Sequence, residues 1–185
     1  MSDVSEVPTV FLSHAYTSSQ GLQFIVAGTG GGVGTTTVAA LLATVMTQRT
    51  GYAPRLGDHP GGTLVSRVCL AAETGPHIIH DLGPHVAGIE ALTEPSICPV
   101  IIASCDPWGI EAAESAAPTR HSLIVLNHLH PGKDKVGTKH GQTPTTTAVP
   151  LFWDPALAQP GLIDPGSVSP TTIHCVETVL RFFGI

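Results

Sequence analysis

The sequence predicts an α/β protein in which a mostly parallel sheet is flanked by helices. Four apolar runs of strand length support this class, at residues 22–28, 76–83, 98–106 and 121–128. The runs are continuously apolar rather than alternating, which is typical of strands buried on both faces of a parallel sheet. Helix-forming segments lie between them. Strands that alternate with helices favour a layered fold with right-handed crossovers.

A glycine-rich loop joins the first strand to the first helix. The run LQFIVAG ends in glycine, and VGTTTVAALLATVMTQR then has the Ala and Leu content and the spacing of a helix. Ligands of parallel sheets collect at the carboxyl ends of the strands. We therefore expect a site formed by this loop together with DLGPH, SCDPWG and NHLHPG, which end the later strands.

The later segments continue the alternation of strands and helices. We predict helices, several of them short, at GTLVSRVCLAAE, VAGIEALTE, WGIEAAESA and SPTTIHCVETVLRFF, and the end of another strand at TAVPLFWD. The last helix places Ile173, Val176, Leu180 and Phe183 on one face. We expect that face to dock on the protein's own sheet, with a partner surface as the alternative. Arg181 is its one basic residue, which argues against a membrane-binding amphipathic helix.

Length and composition fit one buried domain over residues 21–185. A chain of 185 residues suffices for a single core, and 42% hydrophobic against 12% charged residues excludes general disorder. Residues 1–20 lack sustained periodicity, so we predict an extended or disordered arm. Residues 128–147 contain all three lysines with several Gly, Pro and Thr, and they are predicted to form a mobile loop.

Charge and cysteine spacing exclude several classes of protein. Fourteen acidic against eight basic residues give a formal charge of -6, so DNA binding has little electrostatic support. No apolar run reaches the length of a membrane span, and the N-terminus is acidic where a secretion signal is basic. We therefore predict a cytoplasmic protein without membrane binding. The four cysteines lie too far apart for a zinc or redox motif and are interpreted as buried free thiols.

The stretch GTGGGVGTTT at residues 28–37 has the glycines of a phosphate-binding loop. Glycines let successive backbone N–H groups turn inward, and the following helix adds the positive end of its dipole. Such loops also carry a lysine that reaches the outer phosphates, followed by a Ser or Thr for Mg²⁺. Thr36 can supply the hydroxyl, but Thr35 stands where the lysine belongs. Losing that contact costs about 1.5 to 3 kcal/mol of binding free energy.

These residues resemble the deviant P-loop of the partition and septum-positioning ATPases, the ParA/MinD-like family, whose pattern is KGGxGKTT. Gly30 and Thr35 occupy the places of the family's two lysines. The resemblance covers most of residues 22–180 and implies a three-layer P-loop NTPase-like fold. The matching positions are Gly31, Gly32, Val33, Gly34, Thr36 and Thr37.

A second stretch of the resemblance lacks the family's carboxylates. LGDHPGGTL at residues 56–64 resembles the family pattern DxDPQGNL, with Gly57 and His59 in place of its two aspartates. Asp58 could replace one of them only with a one-residue shift. The resemblance further implies that Asp81, at the end of IIHDLGP, lies on the metal side with Thr36.

The third part of the resemblance concerns the base of a nucleotide. Asn127 ends the strand IVLN, and the resemblance implies that it contacts adenine. Pro150 and Asp154 match the loop that closes over the base. The implied nucleotide-binding residues are thus Gly30, Gly31, Gly32, Val33, Gly34, Thr35, Thr36, Thr37, Asn127, Pro150 and Asp154, with Thr36 and Asp81 on the metal side.

The losses fall on charged groups for phosphoryl transfer, which depends on positioning and charge neutralisation. We therefore predict a pseudo-ATPase with no catalytic residue, in which ATP or ADP with Mg²⁺ binds weakly or is absent. Its expected role is that of a binding or scaffolding partner in positioning, partitioning or machinery assembly, with a protein partner and as a homodimer. The alternative is a weak ATPase that takes a lysine from the 128–147 loop or from a partner.

Simpler explanations exist for each implied site residue. The glycine loop can be a turn kept for close packing of strand and helix, and Asp81 can cap the loop at its strand end. Asn127 can satisfy loop backbone groups. Scattered surface histidines are a better explanation than a zinc site for His77, His80, His85, His128 and His130. No base is paired by spacing with Ser104 or Cys105, so neither is predicted to be a nucleophile.

Overall fold

The computed structural model describes residues 21–70, 74–117, 121–130 and 146–185. The predicted arm at residues 1–20 lies outside the described residues. So do residues 131–145, which include the three lysines and most of the predicted 128–147 loop.

Six parallel strands form one sheet in the order β2-β3-β1-β4-β5-β6. All five strand pairings are parallel, so the carboxyl ends of the strands meet at one edge. The prediction of a mostly parallel sheet is confirmed. The strands are β1 (Gln23–Gly28), β2 (Ala53–Gly57), β3 (Thr74–Asp81), β4 (Ile97–Ser104), β5 (Leu123–Asn127) and β6 (Ala148–Leu151).

Two apolar cores, one on each face of the sheet, give the fold three layers. Successive residues of β1 alternate between the cores: Phe24 and Val26 face one, while Ile25 and Ala27 face the other. The first core is covered by α1 (Thr35–Thr50), α2 (Leu64–Arg67) and α4 (Pro170–Phe182). The second core is covered by α3 (Pro107–Ala116) and a 3₁₀ turn at Ile89–Ala91.

Helix α4 docks on the sheet as predicted. Val176 and Leu180 are buried in the first core, and Ile173 and Phe183 pack against it half-buried. The rings of Phe24 and Phe183 meet edge to face with centroids 5.5 Å apart. The hydrophobic face of this helix is therefore covered by its own domain.

Two predicted helices are much shorter than expected. The helix expected from residue 62 covers only Leu64–Arg67, because Val68 adopts an extended backbone and its side chain packs into the core. The segment around residue 90 forms only a 3₁₀ turn after Gly88, whose φ of 90° interrupts the helical backbone. Strand β2 was not predicted, since it is a short edge strand that contains Pro54 and an exposed Arg55.

The prediction that all four cysteines are buried free thiols holds for two of them. Cys98 and Cys175 are buried free thiols, and burial raises the pKa of each to about 12. Cys105 is half-buried, and Cys69 is exposed, so the prediction of burial is wrong for Cys69. Within the part of the chain that the structure describes, no helix is both long and apolar enough to cross a membrane.

Candidate functional site

The glycine-rich loop lies at the carboxyl edge of the sheet, between the central strand β1 and helix α1. Strand β1 lies between β3 and β4, so its loop emerges where the strand order changes direction. Its backbone is tied to both neighbours: the Gly28 N–H donates to the Gly83 carbonyl at 2.8 Å, and the Thr29 N–H donates to the Ile102 carbonyl at 2.9 Å. This is the position at which open α/β sheets bind ligands.

Two glycines give the loop its shape. Gly32 and Gly34 have φ values of 78° and 94°, in the left-handed region that favours glycine. The loop borders a cavity of about 340 Å³. The residues that line it are Gly30, Gly31, Gly32, Gly34, Thr35, Thr36, Thr37, His59, Gly83 and Pro84.

Helix α1 presents an uncapped N-terminus to this cavity. Gly34 is the N-cap residue, so no side chain accepts a hydrogen bond from the first turn, and that turn contains no acidic residue. The leading N–H groups of a 16-residue helix are thus available to an anion, and the helix dipole favours negative charge there. The backbone therefore provides a phosphate-sized cradle.

The three threonines that follow the loop differ in exposure. Thr35 is 6% exposed, and a Cβ at Gly28 would collide with its hydroxyl, so this side chain packs against the end of β1. Thr36 and Thr37 are half-buried and line the cavity. Thr36 and Thr37 both offer a hydroxyl to the cavity, while Thr35 fills space behind the loop, and the metal-side role of Thr36 stays a prediction.

Asn127 supports the loop from the end of β5. Its amide Nδ2 donates to the Val33 carbonyl at 2.8 Å. A Cβ at Gly34 would lie 2.5 Å from the same nitrogen, so only glycine leaves room for the Asn127 amide. The side chain therefore satisfies a loop backbone group, which is the simpler of its two predicted roles. Contact with adenine stays a prediction.

Asp154 fastens the start of helix α4. Its side chain is buried and accepts hydrogen bonds from the Ala156 N–H at 3.0 Å, the Ser169 N–H at 2.8 Å and the Thr172 hydroxyl at 2.8 Å. Burial by itself raises the pKa of this carboxyl, but the hydrogen bonds together outweigh it and keep the pKa below its ordinary value. Pro150 is exposed on edge strand β6. Neither residue lines the cavity, so their predicted contact with a base is untested.

Asp81 ends β3 with a fully buried side chain. Its Oδ1 accepts the Gly83 N–H at 2.8 Å, which is the loop cap that the sequence offered as one interpretation. Its Oδ2 is buried and has no hydrogen-bond partner. A buried carboxylate oxygen without a partner is costly and requires an explanation.

His59 and Asp58 lie beside this carboxylate. His59 Nδ1 is 3.9 Å from Asp81 Oδ2 and 3.3 Å from Asp58 Oδ1, and it is buried without hydrogen-bond geometry to either. The second Asp58 oxygen accepts the Leu64 N–H at 2.8 Å. Asp58, His59 and Asp81 thus place three potential ligand atoms within 4.8 Å of one another. In the sequence His59 stands out only as the replacement of an aspartate, and nothing there indicates that it lies beside Asp81.

The other histidines do not form a second cluster in the described residues. His77 Nδ1 accepts the Leu22 N–H at 3.1 Å, and burial lowers the pKa of this imidazole. His80 packs against Gly57, His85 is exposed, and the buried His128 ring lies 4.9 Å from Phe152. Among the described residues, these histidines are not brought together into a group of potential metal ligands.

Comparison with known proteins yields similarity in structure alone. No protein-family model matches the chain, and no curated protein matches it. The MinC:MinD cell division protein complex of Aquifex aeolicus aligns with a TM-score of 0.63 at 14% identity, over 89% of this chain and 96% of that one. Apo McdA of Cyanthece aligns with a TM-score of 0.60 at 15% identity, over 88% and 99%. A ParA family ATPase from Chlorobium tepidum aligns at 0.53 and 15%, over 86% and 99%.

The chain has the ParA/MinD-like P-loop fold. The predicted three-layer fold and the resemblance in fold are both confirmed. At 14 to 15% identity these similarities establish only the fold of the chain, so its chemistry has to be inferred from its own residues.

The P-loop of this ParA/MinD-like fold fits a phosphate in shape but lacks the usual charge. The backbone cradle, the open helix N-terminus and the Thr36 hydroxyl suit a nucleotide phosphate with its Mg²⁺. In the described residues, the cavity lining contains neither lysine nor arginine. Carboxyl oxygens of Asp58 and Asp81 lie 3.3 and 3.9 Å from Nδ1 of His59, which lines the cavity. Within the described lining, a triphosphate would meet hydrogen-bond donors but no lysine or arginine side chain.

Proposed function

We propose that this chain is a ParA/MinD-like protein of intracellular positioning, partitioning or machinery assembly that works as a binding or scaffolding partner without turning over ATP. The observation that carries the proposal is the cavity at the P-loop. Its backbone can receive a phosphate, yet no lysine or arginine of the described residues lines it. Phosphoryl transfer needs charge neutralisation at the leaving and transferred groups, so turnover suffers more than binding.

The proposed partners are another protein and a second copy of this chain. One of the similar structures is of MinD in complex with MinC, which supports a protein partner for a chain of the same fold. Trp108 is exposed at the start of α3, four residues after Ser104 ends β4 at the carboxyl edge of the sheet. Large apolar side chains of this kind are enriched at protein interfaces. We further propose a cytoplasmic location without DNA or membrane binding.

Calorimetry with ATP and ADP in the presence of Mg²⁺ tests the binding part of the proposal. We expect a millimolar dissociation constant or no measurable heat, because Thr35 stands where the P-loop lysine would contact the phosphates. Thr36→Ala should change the dissociation constant little, since the site already binds the nucleotide weakly. Micromolar affinity that Thr36→Ala abolishes would contradict the proposal.

The second candidate is a weak ATPase, and the retained Thr36 hydroxyl in the cavity favours it. Such an enzyme would take its missing charge from Lys133, Lys135 or Lys139 or from a partner. All three lysines lie outside the described residues. Their simultaneous replacement by glutamine tests the loop as the source of that charge. A loss of ATP binding or turnover would favour the enzyme, whereas unchanged behaviour would exclude a lysine of this loop.

A further inference from the structure

We propose that Asp58, His59 and Asp81 form a binding site for a first-row divalent transition metal such as Zn²⁺, beside the glycine loop. The site differs from the Mg²⁺ position that the fold implies, because an imidazole nitrogen supplies one of its ligands. It does not depend on whether a nucleotide binds.

Two buried polar atoms of this cluster lack hydrogen-bond partners. Asp81 has a side chain with 0% exposure, and its Oδ2 has no hydrogen-bond partner. His59 Nδ1, 3.9 Å away, is also buried and without a partner. A buried polar atom without a partner requires an explanation, and an ion bound between the two atoms is one. A cation accepts lone pairs from the Asp81 carboxyl oxygen and the His59 imidazole nitrogen at once.

The candidate ligand atoms are spaced closely enough to share one metal ion. A metal about 2.0 to 2.2 Å from each ligand in a tetrahedral site holds the ligand atoms about 3.4 Å apart. His59 Nδ1 and Asp58 Oδ1 are already 3.3 Å apart, and the Nδ1 to Asp81 Oδ2 distance of 3.9 Å needs only a small contraction. All three atoms lie within 4.8 Å of one another.

Backbone contacts fix each of the three side chains in place. The other oxygen of Asp58 accepts the Leu64 N–H, and that of Asp81 accepts the Gly83 N–H, both at 2.8 Å. The His59 ring lies against Gly83, where a Cβ would approach its Cε1 and Nε2 to 2.9 Å. Gly62 leaves room for the Asp58 carboxylate, with which a Cβ there would collide. Preorganised ligands of this kind are what metal sites require.

The donor set indicates which class of metal binds. Imidazole suits zinc and neighbouring transition metals, whereas Mg²⁺ prefers oxygen ligands throughout. Three protein ligands leave a fourth position open. Because His59 also lines the cavity of the glycine loop, we expect that position to be reached from the cavity.

Equilibrium dialysis of the untagged full chain against Zn²⁺, after chelator treatment, tests the site. We expect one tightly bound ion per chain that Mg²⁺ at equal concentration does not displace. His59→Asn and Asp81→Asn should each weaken binding by about 100-fold or more, because loss of an outer partner alone costs about 10- to 100-fold. Asn at position 81 keeps an oxygen for the Gly83 N–H, so folding is preserved. His174→Asn, at an exposed position on α4, is the matched control and should bind like the wild type.

X-ray absorption at the zinc edge provides the second readout. Nitrogen and oxygen ligands without sulfur support the site. Sulfur ligands, the absence of stoichiometric binding, or full binding in both His59→Asn and Asp81→Asn would overturn the proposal. The unpartnered atoms would then be satisfied by water or by a proton.

Discussion

Restoring a lysine at position 35 should strengthen ATP binding. The Thr35 side chain packs against Gly28 at the base of the loop, and residue 35 also borders the cavity of about 340 Å³, so we expect a longer side chain to leave that packing and extend into the cavity. An ammonium group there would add one charge-assisted contact to the outer phosphates. That contact contributes about 1.5 to 3 kcal/mol of binding free energy. Since 1.36 kcal/mol corresponds to a factor of ten, Thr35→Lys should lower the ATP dissociation constant by about 10- to 150-fold.

Calorimetry of ATP with Mg²⁺ measures this change directly. Thr35→Met is the matched control, because it has a similar length without the charge, and it should bind ATP like the wild type. Gly30→Lys tests the same charge deficit without disturbing Thr35, since a Cβ at Gly30 meets nothing within 4 Å. Melting temperatures show whether each variant is folded. If neither folded lysine variant binds ATP more tightly than wild type, or if the methionine variant gains as much, the missing charge does not limit binding.

Three further predictions concern stability and reactivity. Gly34→Ala should lower the free energy of unfolding in urea by about 2 kcal/mol, because alanine is strained at a φ of 94° and its Cβ displaces the Asn127 amide. An unchanged midpoint would contradict this. Asp154→Asn should destabilise the protein at neutral pH. Because the folded pKa of Asp154 is depressed, its stabilisation is present above the unfolded value of about 3.9 and is lost as pH falls through the folded value. The difference in the free energy of unfolding between wild type and variant should therefore shrink in acid. A difference that does not depend on pH would refute this prediction. Iodoacetamide should modify the exposed Cys69 of the folded protein and spare Cys98, because burial raises the pKa of Cys98 to about 12. Mass spectrometry identifies the modified cysteine, and modification of Cys98 before Cys69 would contradict this prediction.

The central part of the fold follows from the sequence because its signals are local. Strands β1, β4 and β5 are apolar runs buried on both faces, and helix α1 follows a glycine-rich loop. In β3 only Ile79 and Asp81, near its carboxyl end, are buried, so its buried part is shorter than the predicted run. The edge strand β2 was missed because Arg55 is exposed and Pro54 breaks the pattern. The helix expected from residue 62 fails because burial of Val68 overrides local propensity.

The site was only partly predictable, because its contacts join distant segments. The glycine loop and Thr36 are visible in one stretch of ten residues. The hydrogen bond from Asn127 to the Val33 carbonyl links residues 94 positions apart, and nothing in the sequence fixes its geometry. The approach of His59 to Asp81 depends on how the ends of β2 and β3 pair. The role of Asp154 was only partly visible. Ser169 followed by proline is typical of a helix start, but the sequence does not show that the Asp154 side chain binds there.

Steady-state phosphate release from the full chain with ATP and Mg²⁺ tests the central claim most directly. We predict no release above that of a buffer blank, because a cradle of backbone amides that lacks the P-loop lysine cannot neutralise the transferred phosphoryl group. Sustained release by the wild-type chain that Thr36→Ala abolishes would contradict the account.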